Sequence, residues 1–402
     1  MNDLSAAERC VKCGLCLPHC PTFRLTGNEA DSPRGRLSLI QLLDSPDNTW
    51  SPGLFQHLDR CLLCHACETM CPSKVPYTRL MDGARERLQQ HRPQPRGRRL
   101  VHAIGPGLLT SRSGRRGAAA LLALIRPIGA QRLSRLPGLP AGLKRALELV
   151  PPATPRNRAR DPSDAPARGE TVNLFTGCTG ELLDRTTLGA ARRLLRRLGY
   201  RVTTPPGQGC CGALHQHNGF PQRAAALADV NRGAFSENTA PVITFASGCT
   251  AHLLAYQRLY PQANDLPGRV TDILDFIARR HAGDLRLKPL NKKVTLHVPC
   301  TQRHALGQDA LTTVLGWIPG LEVCLANPDG LCCGAAGLNM LTQSEFAARL
   351  RQGTVEAIVA SGADILLTTN IGCALHLASG IRHSGRKVDV MHPVTLLESL
   401  LV

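Results

Sequence analysis

Two segments of this chain share a cysteine spacing that few folds can satisfy. "CVKCGLCLPHCP" sets Cys10, Cys13, Cys16 and Cys20 ahead of Pro21, and "CLLCHACETMCP" sets Cys61, Cys64, Cys67 and Cys71 ahead of Pro72. Both fit C-x2-C-x2-C-x3-C-P, in which three thiolates of a tight turn converge on three corners of a [4Fe–4S] cube and the fourth is carried away to the other cube. The expected ligation is therefore crossed: Cys10, Cys13, Cys16 and Cys71 on one cluster, Cys61, Cys64, Cys67 and Cys20 on the second. Structural zinc takes four ligands per ion from similar doublets, but a triplet followed by a fourth cysteine and a proline, twice, fits it badly. His19 and His65, inside the runs, read as packing or surface residues.

Forty residues separate Cys20 from Cys61, more than two adjacent ferredoxin loops require. They include "SPRGRLSLIQLLD", with Ser-Pro where a helix would start and Leu37, Ile40 and Leu43 at helical spacing. "PGLFQHLDRC" leads into the next run. Residues 1–90 are thus expected to form an α-helical ferredoxin domain, of the kind found in iron–sulfur subunits of respiratory dehydrogenases.

Nine further cysteines complete a total of 17 in 402 residues. The chain opens "MNDLSAAERC" with no basic-then-apolar leader, so a cytoplasmic setting is expected, with thiols reduced or on metal. Cys210 and Cys211 are adjacent, and neighbouring Cα atoms about 3.8 Å apart suit a disulfide poorly, since a relaxed one spans roughly 4.4–6.8 Å. The longest apolar run, "GAAALLALI" at 117–125, falls far short of the roughly 20 residues of a membrane span.

A duplication organises the second half. "VNLFTGC" ends at Cys178 and "VTLHVPC" at Cys300, 122 residues on; "GCCGALH" and "LCCGAAG" place Cys210–Cys211 and Cys332–Cys333 at the same offset. "VITFASGCTAH" and "ILLTTNIGCALH" carry Cys249 and Cys373, 124 apart, each followed by a histidine, His252 and His376. In each repeat a strand-type segment delivers the first cysteine, helices flank the Cys-Cys-Gly loop, and a second strand leads to the last cysteine. Such alternation predicts parallel α/β units with ligand sites at the carboxyl ends of the strands. The eight cysteines would gather there as candidate ligands of additional clusters, the glycine after each pair supplying a backbone conformation with φ > 0. Repeat boundaries are expected near 171–290 and 291–402. Cys324, in "LEVCLANPDG", reads as a buried free cysteine.

Residues 91–170 join the halves as a Pro/Gly-rich connector with short helices. Sixteen Lys or Arg face four Asp or Glu between Arg92 and Glu170, within an overall net charge of +18. That concentration suits docking to an acidic partner or the anionic face of a membrane, or else a solvated linker. Nucleic acid is not an expected partner, because aromatics are only 3% of the chain and no recognition motif accompanies the charge.

The Cys…Cys-Cys-Gly…Cys arrangement, twice, resembles the cysteine-rich "CCG" domain of heterodisulfide reductases. Preceded by two ferredoxin runs, with "DSPRGRLSLI", "QGCCGALH", "CCGAAG" and "NIGC" in place, the whole is similar to the family of iron–sulfur subunits of bacterial glycolate oxidases. The resemblance covers about residues 8–90 and 171–402. It implies an α+β multidomain chain, a helical ferredoxin domain followed by a duplicated α/β CCG domain, that carries electrons beside FAD-containing subunits oxidising glycolate to glyoxylate and passes them to a respiratory acceptor. It also implies a cytoplasmic protein, peripheral on the inner face of the membrane if the basic linker makes that contact.

In the heterodisulfide reductase form the last element is Cys-x-x-Cys and five cysteines hold a non-cubane cluster; here His252 and His376 stand at that final position. A cubane, a histidine-assisted cluster and no cluster all stay open for Cys178, Cys210, Cys211 and Cys249, and for Cys300, Cys332, Cys333 and Cys373. For the two histidines a surface or helix-start position is the expected role. Neither G-x-G-x-x-G after a strand nor G-x-x-x-x-G-K-[ST] occurs, so no catalytic residue is assigned and the substrate is expected to be oxidised on a partner. Subunits of D-lactate or anaerobic glycerol-3-phosphate dehydrogenases, and a heterodisulfide-reductase-like enzyme working through its CCG clusters, are the alternatives.

Overall fold

The computed structural model describes residues 4–43, 45, 49–92, 110–151, 169–260 and 265–402. Its N-terminal part is helical. Ser32 and Ser51 cap helices Pro33–Leu42 and Pro52–Asp59, their hydroxyls accepting from the amides of Gly35 and Leu54, with proline at the first helical position of each. Leu37, Ile40, Leu54 and Leu58 of these helices pack on Leu80, Met81, Ala84 and Leu88 of helix Tyr77–His91. The helical spacing read between the two cysteine runs is thus the stripe that closes this small core.

The connector is more structured than its composition suggests. Helices Arg112–Ile128, Ala130–Leu133 and Ala141–Leu149 occupy it, and the first is 17 residues long. Several of its cations turn inward. Arg115 pairs with Glu181 at 3.3 Å, Arg126 donates to the Leu182 carbonyl at 3.1 Å, and Arg145 donates to the Met340 carbonyl and to Ser379. Part of the positive charge therefore straps this segment to both repeats. The Pro/Arg-rich stretches at 93–109 and 152–168 lie outside the described residues.

Each repeat is a four-stranded parallel sheet. β1 (Thr171–Leu174), β2 (Arg201–Thr203), β3 (Val242–Thr244) and β4 (Val270–Asp272) are ordered β2-β1-β3-β4. β5 (Lys293–Leu296), β6 (Glu322–Leu325), β7 (Ile365–Leu367) and β8 (Asp389–Met391) are ordered β6-β5-β7-β8. The sequence pattern distinguishes the buried central strands; β2 (RVT), β4 (VTD) and β8 (DVM) are as short as β3 and β7 but mix polar with apolar residues, so no continuous apolar run marks them. Cys324 lies on the edge strand β6 and is half-buried rather than buried as expected, because an edge strand has a neighbour on one side only. Its thiol donates to the Val294 carbonyl at 3.3 Å.

One apolar core runs across both repeats, from Val172, Leu194 and Ile277 to Val294, Val314 and Leu397. The segment that follows β3 meets those that follow β7 and β5: the Ser247 amide donates to the Thr369 carbonyl at 3.0 Å, and the Ser247 and Thr301 hydroxyls lie 2.8 Å apart. In each sheet the chain leaves the first strand in one direction and later continues on its other side, so β1/β3 and β5/β7 are switch points where ligand crevices open.

The glycines that follow the paired cysteines have the expected backbone, Gly212 at φ 93° and Gly334 at φ 84°. A Cβ on Gly334 would sit 2.7 Å from Leu350 Cβ and 3.1 Å from the Ala347 carbonyl oxygen, whereas on Gly212 its nearest neighbour would be the Ala224 carbonyl oxygen at 3.2 Å. Gly334→Ala should therefore cost about 2–4 kcal/mol, combining the left-handed penalty with overpacking. Gly212→Ala should cost less. Equal shifts in thermal midpoint for the two variants would contradict this account.

Candidate metal centres

The two N-terminal runs share a backbone as well as a spacing. Lys12 (φ 55°) and Gly14 (φ 85°) interleave Cys10, Cys13 and Cys16, and Leu63 (φ 49°) and His65 (φ 64°) interleave Cys61, Cys64 and Cys67. Corresponding left-handed residues are 51 positions apart, as the cysteines are. Each such residue reverses the local winding between successive cysteines, the kind of backbone turn found in nests that hold anionic groups. Left-handed Lys, Leu and His are unfavourable by about 1–2 kcal/mol each, so this geometry needs a compensating interaction.

The thiols group across the runs. Cys67 lies within electrostatic reach of Cys64, Cys61, Cys20 and Cys16, and Cys16 within reach of Cys10 and Cys20. Burial pushes the Cys16 thiol up to about 11 and those of Cys64 and Cys67 well above the ordinary range. A metal that takes up sulfur displaces such protons, so the donor set suits thiophilic metal chemistry. His65 is engaged elsewhere, its Nδ1 3.0 Å from the Thr78 hydroxyl.

Beside the second run lies a buried charge network. Arg36 is 1% exposed; its guanidinium donates to the His57 carbonyl at 2.7 Å and the Thr22 hydroxyl at 2.9 Å and pairs with Asp31 at 3.3 Å. Asp31 also meets Arg60 and His57 at 3.1 and 3.0 Å. Burial works against the Arg36 charge, but Tyr77, Cys61, Cys20 and Asp31 outweigh it and hold the group firmly protonated. The motif "DSPRGRLSLI" thus places a fixed cation among the candidate ligands of one cluster. As sequence, it offers only a helix start.

In the repeats the eight cysteines form two lines of touching thiols at the carboxyl ends of the strands. Cys178 donates to Cys210 at 3.5 Å, and Cys210, Cys211 and Cys249 continue the line through hydrogen bonds. Cys300, Cys332, Cys333 and Cys373 form the matching line. The hydrogen bonds of Cys178 to Cys210 and of Cys300 to Cys332, reinforced by burial, push those thiols well up. The two lines differ in their setting: Cys64 of the second N-terminal run is within electrostatic reach of Cys300 and Cys332.

The expected surface or helix-start positions of His252 and His376 are not what the structure shows. Both lie sixth in their helices, Ser247–Leu254 and Ile371–His383, and are buried at 4% and 0% exposure. Both ring nitrogens of His376 are engaged, Nε2 with the Ala347 carbonyl and Nδ1 with Arg145, each at 3.0 Å. His252 packs edge-on against the rings of His217, Tyr256 and Tyr260. Three residues after a cysteine on one helix face, each is drawn inward with it. The histidine that does reach the thiols is His297, within "VTLHVPC". It is 1% exposed, and a ring nitrogen lies with the sulfurs of Cys333 and Cys373 in a group whose atoms are all within 4.8 Å of one another. Burial, and then Arg303, pull its protonation down to about 3, which keeps the ring neutral. Comparing the repeats position by position could have found it, because Phe175 stands there in the first.

Residues 6–75 match the family model of a 4Fe-4S dicluster domain, and residues 172–254 and 294–378 that of a cysteine-rich domain. The glycolate oxidase iron-sulfur subunit of Escherichia coli (strain K12) is 31% identical, over 99% of this chain and 95% of its own length. A probable glycolate oxidase iron-sulfur subunit of Bacillus subtilis (strain 168) is also 31% identical, over 96% and 92%. A subunit of the fumarate reductase (CoM/CoB) of Methanothermobacter marburgensis is 26% identical, over 99% of this chain and 73% of its own.

Proposed function

Because this chain belongs to the family of glycolate oxidase iron-sulfur subunits, we propose that it is the electron-transferring subunit of a glycolate-oxidising complex whose FAD-containing subunits perform the oxidation. The observation that carries this reading is the matched left-handed winding of the two N-terminal runs. Cys10, Cys13, Cys16 and Cys71 would hold one [4Fe–4S] cluster, and Cys61, Cys64, Cys67 and Cys20 the other. Bound there, the clusters would supply one-electron carriers between the flavin subunits and a respiratory acceptor. The chain's own residues set the conditions: buried Cys20 and Cys61 exclude water on one side, exposed Cys13 leaves the other near the surface, and Arg36 fixes a positive charge. The cysteines of the repeats are the remaining metal-binding capacity.

Partner docking draws support from the outer face of the connector. Leu121, Leu124 and Ile128 of helix Arg112–Ile128 are 57, 70 and 58% exposed, beside exposed Arg116, Arg132 and Arg135. An apolar ridge rimmed with cations suits an acidic partner subunit or an anionic lipid surface. Among the described residues no helix is long and apolar enough to cross a membrane.

The test is direct. Anaerobically purified chain should carry at least about eight irons with acid-labile sulfide, glycolate should leave it oxidised, and glycolate with the flavin subunits should reduce it. Zinc without labile sulfide in the N-terminal domain, or glycolate turnover by this chain alone, would overturn the reading. Reduction by D-lactate or glycerol 3-phosphate in place of glycolate would redirect it to those dehydrogenases.

A further inference from the structure

The repeats are duplicates in their cysteines but not at the strand end that faces them. At the 122-residue offset that relates Cys178 to Cys300, Phe175 corresponds to His297. Phe175 packs in an apolar cluster with Cys178, Cys210 and Cys211, its ring 6.1 Å from that of Phe235. His297 puts a polar ring into the equivalent buried place, where an imidazole costs more than a phenyl unless both nitrogens are used. One is used: Nδ1 lies 3.0 Å from the Thr368 hydroxyl. Nε2 is buried with no hydrogen-bond partner, and the histidine belongs to the one group of potential metal ligands found among the described residues, with Cys333 and Cys373.

We propose that the second repeat builds a mixed thiolate–imidazole metal centre in which Nε2 of His297 joins the sulfurs of Cys333 and Cys373, with Cys332 and Cys300 continuing the donor line. In this centre Nδ1–H donates to the Thr368 hydroxyl, which leaves the ring's lone pair on Nε2, a common outer-shell arrangement for a ligating histidine. Soft thiolates with one imidazole suit zinc or an iron–sulfur centre, and exclude calcium and magnesium, which take oxygen ligands. The first repeat, with Phe175, offers thiolates alone. The neighbourhood of Cys64 sets this centre beside the second ferredoxin run. The proposal extends the metal-binding reading of the cysteines but is independent of which hydroxy acid the complex oxidises.

The experiment uses the full chain, purified anaerobically, with iron, zinc and labile sulfide measured against protein. Wild type should hold metal beyond the roughly eight irons of the N-terminal pair, and His297→Phe, copying the first repeat, should lower that excess while leaving the N-terminal iron in place. His297→Cys, restoring a thiolate, should retain the excess. Nitrogen coordination should be visible in wild type, as ¹⁴N coupling in pulsed EPR of the reduced protein if the metal is iron, or as a nitrogen neighbour at about 2.0–2.1 Å in zinc-edge absorption if it is zinc. It should vanish in both variants and persist in Cys210→Ser of the first repeat. Either metal with that nitrogen supports the proposal. No excess metal in wild type, or excess metal without a nitrogen ligand, overturns it, and the wild-type spectrum decides even if His297→Phe fails to fold. The electron-transfer reading fails on a different result, an N-terminal domain free of iron, which would leave a nitrogen-bound metal in the second repeat standing.

Discussion

Arg36→Met is expected to lower both the stability of the N-terminal domain and the reduction potential of the cluster assigned to Cys61, Cys64, Cys67 and Cys20. The guanidinium serves the Thr22 hydroxyl, the His57 carbonyl and Asp31, all in a core where Arg36 is 1% and Asp31 0% exposed. Breaking a buried pair by removing one partner costs about 3–5 kcal/mol. Here Arg60 and His57 remain on Asp31, so the lower end is expected. The electrostatic effect is separate. At an effective dielectric of about 20, a unit charge several ångströms away is worth about 2 kcal/mol, on the order of 100 mV for a one-electron couple. A cation favours the more negative, reduced state, so its loss shifts the potential downward. Arg36→Lys keeps the charge but not the planar fork, and should lose stability while retaining most of the potential. A redox titration followed by EPR, beside chemical denaturation, checks both; an unchanged potential in Arg36→Met would remove Arg36 from the account of the cluster.

Crossed ligation makes a prediction that single substitutions cannot. Cys20→Ser and Cys71→Ser should each lower iron from the N-terminal pair from about eight to about four atoms. Under the crossed arrangement Cys20→Ser with Cys61→Ser should lose no more than Cys20→Ser alone, because both serve one cluster. Cys20→Ser with Cys10→Ser should lose both. Uncrossed ligation reverses the two double variants, which makes the pair a coupling measurement in which neighbours fail to add and independent sites do. Cys20 lies within electrostatic reach of both Cys16 and Cys67, so the two double variants, and not proximity, decide between the arrangements.

Much of the fold is legible in the sequence because the relevant signals are local. Ser32-Pro33 and Ser51-Pro52 mark helix starts by their own chemistry, and β1, β3, β5 and β7 are buried runs bounded by turns. Edge strands such as β2 and β8 escape, since they are partly exposed and mix polar with apolar residues, so no apolar run marks them. The connector misleads for a related reason. Its proline, glycine and arginine content describes a loop in isolation, whereas Arg115, Arg126 and Arg145 find their partners in the repeats. His376 is buried for the same cause: the linker brings Arg145 to its Nδ1, a contact 231 residues apart in the chain.

The amino-acid sequence by itself determined which chemistry this protein can do, because ligand type and spacing are short-range properties. Two C-x2-C-x2-C-x3-C-P runs specify thiolate turns wherever they fold, and a constant offset of 122 specifies a duplicated frame. Only the tertiary structure decided which donors share a site. Cys64 comes beside Cys300 and Cys332, Arg36 beside Cys20 and Cys61, and His297 rather than His252 or His376 beside the thiols. Those juxtapositions depend on how helices and sheets are oriented when the apolar faces close on one another. Packing of that kind is a property of the whole chain, and no window of residues contains it.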